Sequence, residues 1–165
     1  TSGIALAASA SASLAVSAAV SQNCTISATS ALAFSAYDPV VTNASAALNA
    51  SGSVTVACTK GASSLTIGMG DGAHVSGSQR RMLGGTSGDF LNYNLFQPPS
   101  STPSTACTFP GTTAWGSTIG TNTLALSNAP DKTGRLYNVC GTIPAGQDVG
   151  VDASYTDTVS ATINF

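Results

Sequence analysis

The sequence predicts an all-β protein, an immunoglobulin-like β-sandwich, and three observations carry that expectation. Charged residues make up only 7 % of the 165-residue chain and hydrophobic ones 42 %, so the surface must be built from Ser, Thr, Asn and Gly, which favour strands and turns over helices. Short stretches alternate apolar and polar residues, the period of a half-buried strand, and no segment sustains a helical period. Seventeen Gly and seven Pro punctuate these stretches with turn signals. Many short strands between turns argue a sandwich, and the length is that of one domain able to bury a core.

The first alternation is the longest. In IALAASASASLAVSAAV, residues 4–20, one face carries Ile4, Leu6, Ala8, Ala10, Ala12, Leu14, Val16, Ala18 and Val20, and the other only Ala and Ser. CTISATSALAFSAYDPV alternates next and breaks at Asp38-Pro39, where the proline ring removes a donor. GSVTVACTKG sets Val54, Val56 and Cys58 on one face between bounding glycines, and SSLTIGMGDG repeats the pattern through Leu65, Ile67 and Met69. Arg80-Arg81 reads as a loop pair, DFLNYNLFQ as a strand and PPSSTPSTA as a polar loop. TTAWGS, TNTLALS and GRLYNVCGTIP give shorter candidates, and DVGVDASYTDTVSATINF closes the chain with Val159, Ala161, Ile163 and Phe165 on one face.

Composition excludes several partners. Five scattered Lys and Arg form no basic stripe for a phosphate backbone, so nucleic acid is not expected. The first twenty residues resemble a signal peptide in apolarity but lack a basic n-region, and their serines argue against an integral membrane segment, so the chain reads as a mature form. Cys24, Cys58, Cys107 and Cys140 form no C-x-x-C pair, and His74 is the single histidine, so neither a metal site nor a cofactor is expected. Disulfides fit better and imply an oxidising compartment. Of the three possible pairings the sequential one, Cys24 with Cys58 and Cys107 with Cys140, is favoured; each loop would contribute roughly 3–4 kcal/mol.

No catalytic constellation emerges, so no enzyme is expected. His74 and Asp71 lie in one glycine-rich turn, but there is no G-x-S-x-G elbow and no Glu. Asp148, Asp152 and Asp157 match no calcium loop and read as solvated strand and turn residues. Trp115, the single tryptophan, reads as a core aromatic.

The two ends of the chain pose a problem. An unprotected edge strand is an aggregation template, usually blunted by charge, proline or brevity. Residues 1–20 carry no charged side chain and no proline, and the last strand ends on the core-type residue Phe165. Either residues 4–20 form the first strand of their own sandwich, or they complete a neighbouring molecule by β-strand addition. On full burial Ile4, Leu6, Leu14 and Val16 would each contribute ~1.5–3 kcal/mol to such a joint.

The order of several stretches resembles the spore coat protein U domain, the fold of archaic chaperone-usher pilins. The matching residues are CTI at Cys24, LAFSAYDP at Leu32, GSVTVACTKG, RMLGG followed by LNYNLF, AWGS, and the closing IPAGQDVGVDASYTDTVSATINF with Tyr155, Asp157 and Phe165. The likeness runs from about Val16 onward. Ser35 and Ser117 depart from the common Gly and Asp, the leader before Cys24 is long, and Cys107 with Cys140 is an additional bridge.

The resemblance implies an incomplete immunoglobulin-like β-sandwich completed by donor-strand exchange. Residues 1–17 would be an N-terminal donor extension and 18–165 the pilin domain. Ile4, Leu6, Ala8, Ala10, Ala12, Leu14 and Val16 would enter a neighbour's groove, with the subunit's own first strand near Ala18 to Ile26. Val159, Ala161, Ile163 and Phe165 would border the acceptor groove and pair with a periplasmic chaperone. The partners implied are further copies of the chain in a head-to-tail homopolymer, that chaperone and an outer-membrane usher. The place implied is an extracellular pilus or fibre serving attachment and biofilm formation. A tip adhesin or a spore or cell-coat matrix protein of the same fold is the alternative.

Overall fold

The computed structural model describes residues 1–4 and 6–165; Ala5, inside the alternating leader, lies outside the described residues. The described residues form nine strands: β1 (Cys24–Ser30), β2 (Leu48–Cys58), β3 (Thr66–Met69), β4 (Arg80–Gly84), β5 (Phe90–Phe96), β6 (Leu124–Ala125), β7 (Arg135–Ile143), β8 (Tyr155–Thr156) and β9 (Ala161–Asn164). They make two sheets, ordered β1-β2-β7-β5-β4-β8 and β6-β3-β9, with every pairing antiparallel. The protein is all-β, and no described helix is long and apolar enough to cross a membrane.

The inward faces of the alternating stretches build the core. Val54, Val56 and Cys58 of β2, Ile67 and Met69 of β3, Leu91, Tyr93 and Leu95 of β5, and Tyr137 and Val139 of β7 are buried together. Trp115 sits among them at 1 % exposure, its indole N–H donating to the Ile67 carbonyl at 2.9 Å. Burial of so large a ring requires a partner for its one polar atom, and the β3 backbone supplies it. Disulfides join Cys24 to Cys58, across the first pair of the β1–β2 ladder, and Cys107 to Cys140, tying the polar loop after β5 to β7.

Three expectations need correction. The first strand does not start near Ala18: the ladder begins at Cys24, and the described residues of the leader are exposed and unpaired in sheet. Arg80 and Arg81 are not a loop pair but open β4, with Arg80 opposite Tyr93. Arg80 is buried, and its guanidinium donates to the carbonyls of Gly70, Met69 and Trp115 at 2.9, 3.0 and 2.8 Å. The planar fork satisfies three main-chain acceptors where the chain leaves β3, a use of arginine that a run of two cations does not announce. Asp157 is not solvated either: its side chain is 3 % exposed.

Beyond β1 the chain crosses the face of the large sheet, and two glycines make the crossing feasible. A Cβ on Gly52 would stand 2.9 Å from the Leu32 nitrogen, and one on Gly141 would stand 2.6 Å from the Leu32 side chain. Such contacts are shorter than packed atoms tolerate, so β2 and β7 must lack side chains there.

Candidate functional site

The crossing segment leaves an open channel. One wall is the chain from Ala28 to Phe34; the other is the stretch from Tyr155 to Ala161; the floor is Val54, Met69, Tyr93, Leu95 and Val139. This part has a volume of about 410 Å³. A second hollow of about 630 Å³ shares Leu32, Phe34, Met82 and Tyr155 with it and extends the channel to Tyr37, Leu91, Ile143 and Val151. The lining is core-type residues, so the channel is a cleft into the hydrophobic interior rather than a surface crease.

Strand order explains the cleft. β1 ends the large sheet and β9 ends the small one; the two strands lie near each other, and the channel opens past their ends, between Ala28–Phe34 and Tyr155–Ala161. β9 pairs with β3 on one side only, through Thr66–Asn164, Ile67–Ile163, Gly68–Thr162 and Met69–Ala161. Its other edge presents main-chain N–H and C=O groups without a strand partner among the described residues. An apolar trough flanked by an open edge fits one extended strand with side chains of alternating direction.

The far wall is held by a polar latch. The Tyr93 hydroxyl donates to one Asp157 carboxylate oxygen at 2.6 Å; the other accepts from the Ala73 N–H at 2.8 Å and lies 3.2 Å from His74 Nδ1. Gly72 permits this: its φ of +88° turns the chain, and any Cβ there would collide with the Asp157 carboxylate. Burial pushes the Asp157 carboxyl up, but the bonds from Tyr93, Thr158, Ala73 and His74 together outweigh it and hold the group below its ordinary value. Burial, then the bond to Asp157, pushes the Tyr93 phenol well above its usual range, so it stays a donor.

Of the residues expected at the groove edge, Val159 and Ala161 line the cleft, Ile163 packs against the core, and Phe165 is 52 % exposed. Ile4, Leu6, Leu14 and Val16 are 87–92 % exposed, and Ala8, Ala10 and Ala12 are exposed with them. The described leader residues thus touch neither the cleft nor the core. His74 meets Asp157 rather than Asp71. Sequence reasoning missed the latch; its trace was the polar Tyr93 in phase with Leu91 and Leu95, and Asp157 in phase with Val159 and Ala161.

An extended apolar cleft with an open edge is the acceptor shape that the resemblance to the spore coat protein U domain implies. The comparisons agree: the Spore Coat Protein U domain model matches residues 10–162, nearly the whole chain, and the chain belongs to that family. The fold is shared with a chain in the crystal structure of the CsuC-CsuE chaperone-tip adhesion subunit pre-assembly complex from the archaic chaperone-usher Csu pili of Acinetobacter baumannii. That likeness has a TM-score of 0.57 at 22 % identity and covers 88 % of this chain but 40 % of the other. No curated protein sequence matches the chain.

Proposed function

We propose that this protein is the repeating subunit of an extracellular chaperone-usher fibre, polymerising by insertion of residues 4–16 of one copy into the cleft of the next. One observation carries the reading: the chain holds a strand-shaped apolar cleft with an open edge at β9 and, elsewhere, an exposed strand-patterned leader. Residues 1–17 act as the donor and 18–165 as the acceptor body. Before assembly the β9 edge and the cleft are covered by a periplasmic chaperone, and an outer-membrane usher exchanges that cover for the next leader. The fibre supports attachment and biofilm formation.

The topology supports one direction of insertion. β1 runs from the Cys24 end of the body toward the cleft, and β9 runs back toward the Cys24 end. A leader folded onto its own body would lie parallel to β9, whereas a neighbour's leader is free to lie antiparallel, the stronger pairing.

The test is electron microscopy of the full chain and of a chain lacking residues 1–16, each exported with the cognate chaperone and usher. Fibres from the full chain alone support the reading. Fibres from both, or a folded monomer from the full chain beside an unstable truncation, overturn it.

A further inference from the structure

Eight of this chain's twelve charged residues lie at the two ends of the body, acids mostly at one and cations mostly at the other; Arg81, stacked on Phe90 next to Asp89, is a cation near the first. Four of the seven acids, Asp38, Asp89, Asp148 and Asp152, lie in the loops where the cleft runs out beyond Tyr37 and Gly150. Those loops, residues 36–43, 84–89 and 144–154, contain no Lys or Arg. Both lysines of the chain, Lys60 and Lys132, and Arg135 lie with one acid, Asp131, at the other end, beside Cys24 and Cys58 where the leader departs. The eleven residues of β2 run between the two ends, a separation of ~30 Å at strand rise.

Shape follows the same division. At the acidic end Val40, Val41 and Val151 are 81, 73 and 100 % exposed. At the basic end a hollow of about 540 Å³ is lined by Cys24, Ala57, Cys58 and the two lysines. The acids that shape the valine-bearing loops stay ionised: hydrogen bonds from the Val40 and Val41 N–H groups hold Asp38 down, and those from Ser87, Ser154 and Thr86 bring Asp152 to about 2.

We propose that the acidic, valine-bearing end of one copy docks on the basic hollow of the next, a second subunit contact beside the inserted strand. The inference rests on the strand-insertion reading. With the leader antiparallel to β9, residue 16 leaves the cleft at the acidic end, and the basic end of the donor body faces it. Residues 17–22 then span at most ~20 Å, and Gln22 is pinned to Ser63 by two hydrogen bonds of 3.1 and 3.0 Å, so the bodies are held close. The opposite insertion would set two lysine-bearing ends against each other. Complementary ends favour one register and steer encounter.

The test treats the full chain, exported as above, with a zero-length carbodiimide and maps the joined peptides. Lys60 and Lys132 are too far from the acidic end of their own body to reach it, so a bond from either to Asp148, Asp152, Asp38 or Asp89 joins two copies. Such peptides are expected in fibres, and Lys60→Glu with Lys132→Glu, followed through the inter-subunit contact strength, should lower it by roughly three- to five-fold per pair lost. Adding Asp148→Lys, a side chain without a hydrogen-bond partner among the described residues, should recover part of it. Val151→Asp, fully exposed, should weaken the contact and leave the fold unchanged. Fibres without these peptides overturn the docking contact and leave strand insertion standing. End-to-end linked dimers in the absence of fibres keep the contact and overturn insertion; neither fibres nor linked copies overturns both.

Discussion

The leader and the closing stretch are written in the same code and meet opposite fates. Residues 4–20 and 155–165 both alternate apolar with small polar residues, yet the described apolar side chains of the leader stand in water, while Val159, Ala161 and Ile163 pack on the core. Period two specifies which side chains share a face; it does not specify what covers that face. The closing stretch has Asp157, whose bonds to Tyr93, Ala73 and His74 fix where the strand lies. No described leader residue before Ser21 has a hydrogen bond to the body; the first anchors are Ser21, Gln22 and Asn23 against Thr59 and Ser63. The cleft lies between the closing stretch and the Ala28–Phe34 segment, and the β9 edge beside it has no further strand among the described residues.

The difference is open to direct attack. The largest effect is expected from deleting residues 1–16, which should abolish fibres by electron microscopy. The body's denaturant midpoint should be unchanged, because the described residues of that stretch bury nothing in it. Ile163→Ala should lower the stability of the body by about 2–4 kcal/mol in a denaturant titration. Leu14→Ala, 87 % exposed in the free chain, should leave that titration unmoved while shortening the lifetime of assembled fibres. Equal stability losses from both would mean that the leader packs on its own body.

Gly52→Ala pushes a methyl against the Leu32 backbone. It should cost about 1–3 kcal/mol and impair uptake of an added peptide of residues 4–16, measured by fluorescence anisotropy. Asp157→Asn tests the latch and should cost about 1–3 kcal/mol, since one acceptor becomes a donor facing either the Tyr93 hydroxyl or the Ala73 N–H. The pH dependence has a definite sign. Asp157 titrates below its unfolded value of 3.8, so its stabilisation is whole above about pH 4 and fades as pH falls through the lower folded value. The Asn variant should lose that acidic limb of the stability profile and show a flatter one below about pH 4.

Much of the body was legible residue by residue. Alternation in GSVTVACTKG, SSLTIGMGDG and DFLNYNLFQ placed β2, β3 and β5, and the lone Trp115 in an otherwise weakly aromatic chain belonged to the core. Arg80 was illegible because its partners are carbonyls of Met69, Gly70 and Trp115, and main-chain acceptors leave no mark in a sequence. Asp157 was illegible for a related reason: apart from the neighbouring Thr158, its donors come from residues 64 to 84 positions away.

The sequence by itself determined the class of fold and the faces of the strands, because side-chain direction and turn chemistry are local properties of the backbone. Only the tertiary structure decided that the segments after β1 and before β9 wall an apolar cleft, that Gly52 and Gly141 let the Leu32 segment lie there, and that four acids and both lysines gather at opposite ends. Those outcomes depend on which strands meet across long separations, and a period of two carries no record of the partner.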